Sequence, residues 1–255
     1  MGRFHRHDDG TVHSHQHEDG HQRAPGDHSG YDTGRQRLDV LESIFAENDV
    51  RADLNRSAFA DNGIRALNLM SSPGSGKTTI LAATIDEFAG DVAVGIIEGD
   101  IATDLDAVKL DGRGAQISLL NTAAGFGGEC HLDAPMVNRA MQDLDLPELD
   151  LVIIENVGNL VCPAEFDVGE HAKAMVYSVT EGEDKPLKYP VMFRAVDVVL
   201  LNKIDLVPYL DVDLDAYVSN VAAVNPTAEV LPVSARTGVG MSAWFGWLRR
   251  FIEAN

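Results

Sequence analysis

The sequence predicts a single doubly wound α/β domain with a mostly parallel sheet, preceded by a disordered, His-rich N-terminal tail. Three observations point there. From Arg65 onward, short apolar runs alternate with stretches of helical periodicity. Leu149-Asp150-Leu151-Val152-Ile153-Ile154 is almost continuously apolar, the pattern of a strand covered on both faces. A glycine-rich loop joins the first strand to the first helix of the alternating region.

The elements follow in order. Residues 1–37 carry His5, His7, His13, His15, His17, His21 and His28, seven of the nine histidines, among Asp, Glu and Gly with almost no aliphatics. Such a segment cannot bury enough apolar surface to order itself, so the domain is expected over 38–255. Residues 38–59 read as helical from the spacing of Leu38, Leu41, Ile44 and Phe45. A further helical stretch covers 50–60 and stops at Asn62-Gly63. Residues 66–70 form a short strand and 78–88 a helix. Strands are expected at 92–97, 149–154, 174–179, 196–201 and 229–233. Met241, Trp244, Phe245, Leu248, Phe251 and Ile252 mark one face of a closing helix. No internal repeat is present.

Composition narrows the function classes. The chain has 255 residues, 40 acidic and 20 basic, for a formal charge of −20. That surface repels nucleic acid and anionic membranes. Fourteen of the basic residues are Arg. The balance fits either an acidic protein of ordinary habitat or a host with a salt-rich cytosol. There is no apolar run long enough to span a bilayer, and the N-terminus is too polar for a secretory segment, so a cytoplasmic location is expected. The two cysteines, Cys130 and Cys162, are then expected to be reduced, leaving metal binding or simple burial. The histidine tract has two readings, a binder of late first-row divalent metals or a solubilising tail. Its interleaved acids and irregular spacing argue against a cloning tag.

Ser71-Ser72-Pro73-Gly74-Ser75-Gly76-Lys77-Thr78-Thr79 fits the Walker A pattern, with Ser71 in place of the first glycine. It follows a strand and opens a helix, the context the motif requires. Gly74, Ser75 and Gly76 would turn backbone N–H groups toward phosphate, and the helix N-terminus favours the negative charge. Lys77 would neutralise the β- and γ-phosphates, and Thr78 would offer its hydroxyl to Mg²⁺; Thr79 completes the cradle.

Two strands end in acids. Glu98-Gly99-Asp100 closes one and Glu155-Asn156-Val157-Gly158 the other. Carboxylates at strand ends beside a phosphate loop stand where Mg²⁺ needs them. Asp100 and Glu155 are the candidates, with Asp104 a weaker one. Glu155-x-x-Gly158 is similar to the Asp-x-x-Gly switch of GTPases, in which the glycine N–H meets the γ-phosphate. Small GTPases orient the attacking water with a Gln after that glycine, whereas here the residue is Asn159, which predicts slow intrinsic turnover.

Asn202-Lys203-Ile204-Asp205 follows an apolar strand. The Asp205 carboxylate can accept from both the N1–H and the exocyclic amine of guanine, a donor pair adenine lacks. The Lys203 stem would lie along the purine and Asn202 would brace the loop. Ser234-Ala235 follows the next strand and would present a backbone N–H to the guanine carbonyl. Together these motifs predict GTP and GDP as ligands.

Cys130-His131 stands in a Gly-rich loop, and Cys162-Pro163 lies just beyond Gly158. Two thiolates and an imidazole are an incomplete set for Ni²⁺ or Zn²⁺, to be completed by water, by Glu129 or across a two-fold dimer; two buried cysteines are the alternative. With this loop, Cys130-His131-Leu132-Asp133-Ala134, with Glu155-Asn156-Val157-Gly158-Asn159-Leu160-Val161-Cys162-Pro163 and with the motifs above, the chain from about residue 38 resembles the HypB family, nickel-incorporation P-loop GTPases of [NiFe]-hydrogenase maturation. The resemblance implies a GTP-dependent homodimer whose interface metal site uses Cys130, His131 and Cys162. It also implies transfer of nickel to the hydrogenase large subunit with a HypA-like accessory protein. Some members carry a Cys-rich N-terminal nickel motif; residues 1–37 hold no cysteine. Rival readings are a urease-type nickel accessory GTPase, which differs in its switch segment and metal motif, and a nickel buffer or storage protein, against which the intact Lys77, Thr78 and Asp205 speak.

Overall fold

The computed structural model describes residues 4–6, 12–14, 29–99, 110, 112–120, 131–159 and 162–254. The chain divides into two compact units, Met1–Ser43 and Ile44–Asn255. In the first, strand β1 (Phe4–Arg6) pairs antiparallel with β2 (Val12–Ser14), His5 opposite His13. Helix α1 runs Ser29–Asp61, so the two helical stretches expected over 38–60 are one element that begins earlier. The sequence pattern marks a helix only from its first periodic apolar residue, Leu38, whereas a nucleated helix propagates through polar residues at little cost.

The second unit holds a seven-stranded sheet: β3 (Arg65–Ser71), β4 (Val94–Glu98), β5 (Gln116–Leu119), β6 (Leu151–Glu155), β7 (Ala172–Ser178), β8 (Val198–Asn202) and β9 (Glu229–Pro232). Their spatial order is β5-β4-β6-β3-β7-β8-β9, and every pairing among them is parallel. The helices of this unit after α1 are α2 (Lys77–Phe88), α3 (Ala134–Ala140), α4 (Cys162–Glu165), α5 (Lys185–Lys188), α6 (Pro190–Arg194), α7 (Leu214–Val224) and α8 (Met241–Glu253). Strands β1, β2 and β5 and the helices from α3 to α7 are additions to the elements expected from the pattern.

Parallel strands covered on both faces alternate their side chains between two cores. Leu67 and Leu69 of β3, Leu151 and Ile153 of β6, and Val198 and Leu200 of β8 join Ile80, Leu81 and Phe88 of α2 and Trp244, Leu248 and Phe251 of α8. The intervening Val152 and Ile154 face Phe59 of α1 and Val137 of α3. Met70, Val199 and Leu201 face Phe193, Tyr217 and Val221. The Trp244 indole N–H donates to Thr84 Oγ1 at 2.9 Å, satisfying a buried donor that joins α8 to α2.

The order reverses around β3, which has β6 on one side and β7 on the other. Doubly wound sheets open a crevice at the carboxyl ends of strands at such a switch point. The loop after β3, the acids ending β4 and β6, and the turns after β8 and β9 all issue from that edge.

Candidate functional site

The loop after β3 is built before any ligand arrives. Gly74 and Gly76 take φ of +71° and +107°, backbone that side chains rarely adopt, and a Cβ at Gly76 would stand 2.5 Å from Asn202 Nδ2. Gly76 precedes Lys77, the first residue of α2, so the helix N-terminus opens directly on the loop. Lys77 Nζ donates to the buried Ser71 Oγ at 2.7 Å, and Ser71 in turn donates to Ser72 O at 2.7 Å. Ser71 thus holds the ammonium over the loop, a use for the departure from glycine. Thr78 is half-buried and Thr79 exposed on the first turn of α2.

The residues expected to read the base are tied to this loop. Asn202 Nδ2 donates to Ser75 O at 2.9 Å and its Oδ1 accepts from Ala235 N at 3.1 Å, so one side chain joins three loops. Lys203 adopts φ +65° and reaches back so that its Nζ donates to Gly74 O at 2.6 Å. Ser234 Oγ donates to Asp205 Oδ1 at 2.6 Å and accepts from Thr237 N at 3.2 Å, fixing the carboxylate. All five expected base-side residues, Asn202, Lys203, Asp205, Ser234 and Ala235, therefore fall in one interconnected cluster with Gly74, Ser75 and Gly76.

On the other flank, Glu98 ends β4 and Glu155 ends β6, paired in register and buried at 2% and 4% exposure. Glu155 is also level with Leu69, two residues before the loop. Two buried carboxylates side by side at strand ends offer oxygen donors of the kind Mg²⁺ takes. Asp100 and Asp104 lie outside the described residues. Glu98, which the sequence pattern sets aside in favour of Asp100, is the described acid that stands beside Glu155. Gly158 lies against the loop: a Cβ there would touch Pro73 at 3.4 Å, ordinary van der Waals contact.

A second flank passes unseen in the sequence. Ser72 Oγ donates to Glu181 Oε2 at 2.5 Å and accepts from Lys185 Nζ at 2.6 Å, and Lys185 also pairs with Glu181. Glu181 closes a capping box on Ser178 at the end of β7. Tyr217 OH donates to Val179 O at 2.5 Å, and Tyr177 OH donates to Gly182 O, so the turn that bears Glu181 is pinned to the core. Burial first, and the nearby Tyr217 and Glu181 next, push the Tyr177 hydroxyl far above its ordinary range, keeping it a neutral donor. The carboxylate and ammonium are spaced by a helical turn, which reads as a surface pair; only the fold brings them under Ser72.

Of the expected transition-metal ligands, Cys130 lies outside the described residues and Cys162 opens α4. Among the described residues no three His, Cys, Asp or Glu side chains converge on one point. The structure does bring the His131 segment against the Cys162 segment. The His131 ring stacks on Phe166, directly after α4, at 4.0 Å between centroids, and Phe166 stacks on Phe45 of α1 at 5.1 Å. Two buried asparagines of α1 bridge the same segments. Asn48 accepts from Ala134 N at 2.9 Å and donates to Asp167 O at 2.8 Å. Asn55 donates to Ala134 O at 2.9 Å and Val168 O at 3.0 Å. No helix among the described residues is long and apolar enough to cross a membrane.

Comparison with known proteins agrees with this geometry. The family model of the CobW/HypB/UreG nucleotide-binding domain matches residues 65–232, from the first residue of β3 to the last of β9. The hydrogenase maturation factor HypB of Azotobacter vinelandii is 47% identical over 213 residues, 84% of this chain and 69% of that protein. The crystal structure of HypB from Archaeoglobus fulgidus superposes with a TM-score of 0.75 at 34% identity, covering 81% of this chain and 99% of the other. The crystal structure of HypB from Helicobacter pylori in complex with nickel gives 0.76 at 33%, covering 82% and 96%. With the loop, the switch segment and the base-reading turn all inside the matched region, the chain belongs to the HypB hydrogenase maturation factors of the CobW/HypB/UreG nucleotide-binding family.

Proposed function

We propose that this chain hydrolyses GTP to GDP and phosphate and uses that cycle to deliver nickel for [NiFe]-hydrogenase maturation. The observation that carries the reading is the direct lacing of the phosphate loop to the base loop through Asn202 and Lys203. It presets the distance between triphosphate and base that one nucleotide must span. Asp205, oriented by Ser234, selects guanine. Lys77 and the loop N–H groups hold the β- and γ-phosphates. Bound Mg²⁺ would supply positive charge to those phosphates, held by Thr78 with Glu155 and Asp100. Gly158 is close enough to Pro73 to present its N–H to the γ-phosphate, and hydrolysis releases it.

Cys162 stands four residues after Gly158, so the switch that answers the γ-phosphate leads straight to a metal ligand. Cys130, His131 and Cys162 would hold Ni²⁺ or Zn²⁺, completed across a homodimer. The histidines of 1–37 would gather metal, while 38–255 carries the GTPase. The hydrogenase large subunit is the recipient, reached with a HypA-like accessory protein, in the cytoplasm. The crystallised Helicobacter pylori relative holds nickel, which supports the cargo.

The test is phosphate release by the full chain. GTP should be hydrolysed and ATP not, with kcat below about 1 s⁻¹, because Asn159 does not position water as a glutamine does. Lys77→Ala should abolish turnover. Equal hydrolysis of ATP would overturn the assignment.

A further inference from the structure

The segments that answer nucleotide and metal meet at one buried side chain. Asn156 is 1% exposed and stands between Glu155 and the switch peptide Val157-Gly158. Its Oδ1 accepts from two backbone donors, Val157 N at 3.0 Å within the switch and Leu132 N at 3.0 Å directly after His131. Its own backbone N–H donates to Leu69 O at 3.0 Å, in the strand leading to the phosphate loop. Its Nδ2 donates to Asn68 Oδ1 at 3.3 Å.

From Asn68 the bonds continue and return. Asn68 Nδ2 donates to Glu170 Oε1 at 3.3 Å, and Glu170 Oε2 accepts from Val168 N at 2.7 Å. Val168 O and Ala134 O both accept from Asn55, which closes the circuit two residues from Leu132. Every residue in it is buried: Leu132, Ala134, Asn55, Val168 and Asn68 at 0%, Glu170 at 7%. A buried polar ring with its partners made is rigid, because each lost bond strands a desolvated group. Leu132 has no slack on its other side either, since its side chain would meet a Cβ at Gly99 at 2.8 Å. The ring therefore ties the residues after His131 to those after Cys162, and only Asn156 within it also belongs to the switch segment.

We propose that Asn156 is the positioning residue through which the nucleotide state sets the placement of His131. This rests on the nucleotide-driven metal reading above. One carbonyl oxygen serves both Val157 N and Leu132 N, so movement of the switch peptide toward the γ-phosphate loosens or tightens the Leu132 bond. His131, next in the chain and stacked on Phe166, moves or stays accordingly.

Two measurements on the full chain test it. Ni²⁺ is titrated into wild type and Asn156→Ala in the presence of GDP and then of a non-hydrolysable GTP analogue. Wild type should change Ni²⁺ affinity by about fivefold or more between the states, the ordinary scale of coupled sites. Asn156→Ala should change it by less than about twofold, while its GDP affinity stays within about threefold of wild type. A folded variant that keeps the wild-type ratio overturns the proposal. Hydrogen exchange at the Leu132 amide of wild type needs no variant. Its protection should differ between the two nucleotides, and identical protection overturns the proposal even if Asn156→Ala does not fold. If Leu132 responds to nucleotide while wild-type Ni²⁺ affinity does not, the metal reading fails and the role of Asn156 in placing the loop survives.

Discussion

Asp205 receives the Ser234 hydroxyl on one oxygen, which orients the carboxylate along the base loop. Replacing it with Asn exchanges one acceptor for a donor. Asp205→Asn should weaken guanine nucleotides by about 3 kcal/mol, over a hundredfold, as two charge-assisted bonds are lost. Xanthine carries a carbonyl where guanine has its amine, so the same variant should gain xanthosine nucleotides. Competition binding with both bases reads this directly, and unchanged guanine preference would place base selection elsewhere. Gly158→Ala tests the switch. Its added methyl meets Pro73 at contact distance, so thermal stability should stay within a few degrees while turnover falls. His171, at the opposite end of the sheet, accepts Ala66 N–H at 3.0 Å through Nδ1. Burial, then the Arg65 and Arg56 charges, hold its pKa below the ordinary histidine value. A depressed histidine stabilises above its unfolded pKa, about 6.5, and the contribution is lost as pH falls through the folded value. The stability gap between wild type and His171→Gln should therefore narrow as pH drops below about 6.5; a constant gap from pH 8 to 5 would contradict the assignment.

At the scale of elements, α1 serves as a splint. Phe45, Asn48, Ala52 and Asn55 recur at helical spacing on one face, and three of them touch the segments after His131 and Cys162. Asn55→Ala strands the carbonyls of Ala134 and Val168, which should cost about 2 kcal/mol in chemical denaturation. It should lower metal affinity by the same factor with either nucleotide, since α1 is not part of the switch. Little of this is legible in sequence. Asparagines on a helix read as a solvated face, and their backbone partners lie about eighty to a hundred and twenty residues away. Strand β5 escaped for a different reason: it is an edge strand of only four residues, Gln116–Leu119, too short for its alternation to stand out, and it exposes Leu119 while burying Ser118. The central strands were legible because burial on both faces leaves them nearly free of polar residues. The phosphate and base loops were legible because their chemistry needs fixed residue types at fixed spacing. Glu181 and Lys185 were not, because nothing local distinguishes a pair under the loop from a pair on the surface.

Across the whole molecule, −20 charges on 255 residues repel one another, and salt screens them. The melting temperature should rise by about 5 °C or more between dilute buffer and about 1 M salt, whereas maximal stability in dilute buffer would rule out a salt-adapted surface. The same charge leaves a divalent cation drawn to many places, so metal binding alone discriminates nothing; its dependence on nucleotide does. The most direct measurement is therefore Ni²⁺ titration of the full chain with GDP and with a non-hydrolysable GTP analogue, followed alongside by mass in solution. The proposed cycle predicts that affinity and dimerisation both shift between the two nucleotides and that Cys130→Ala removes the shift in affinity. Metal binding indifferent to nucleotide, in a protein that stays monomeric with either, would contradict it.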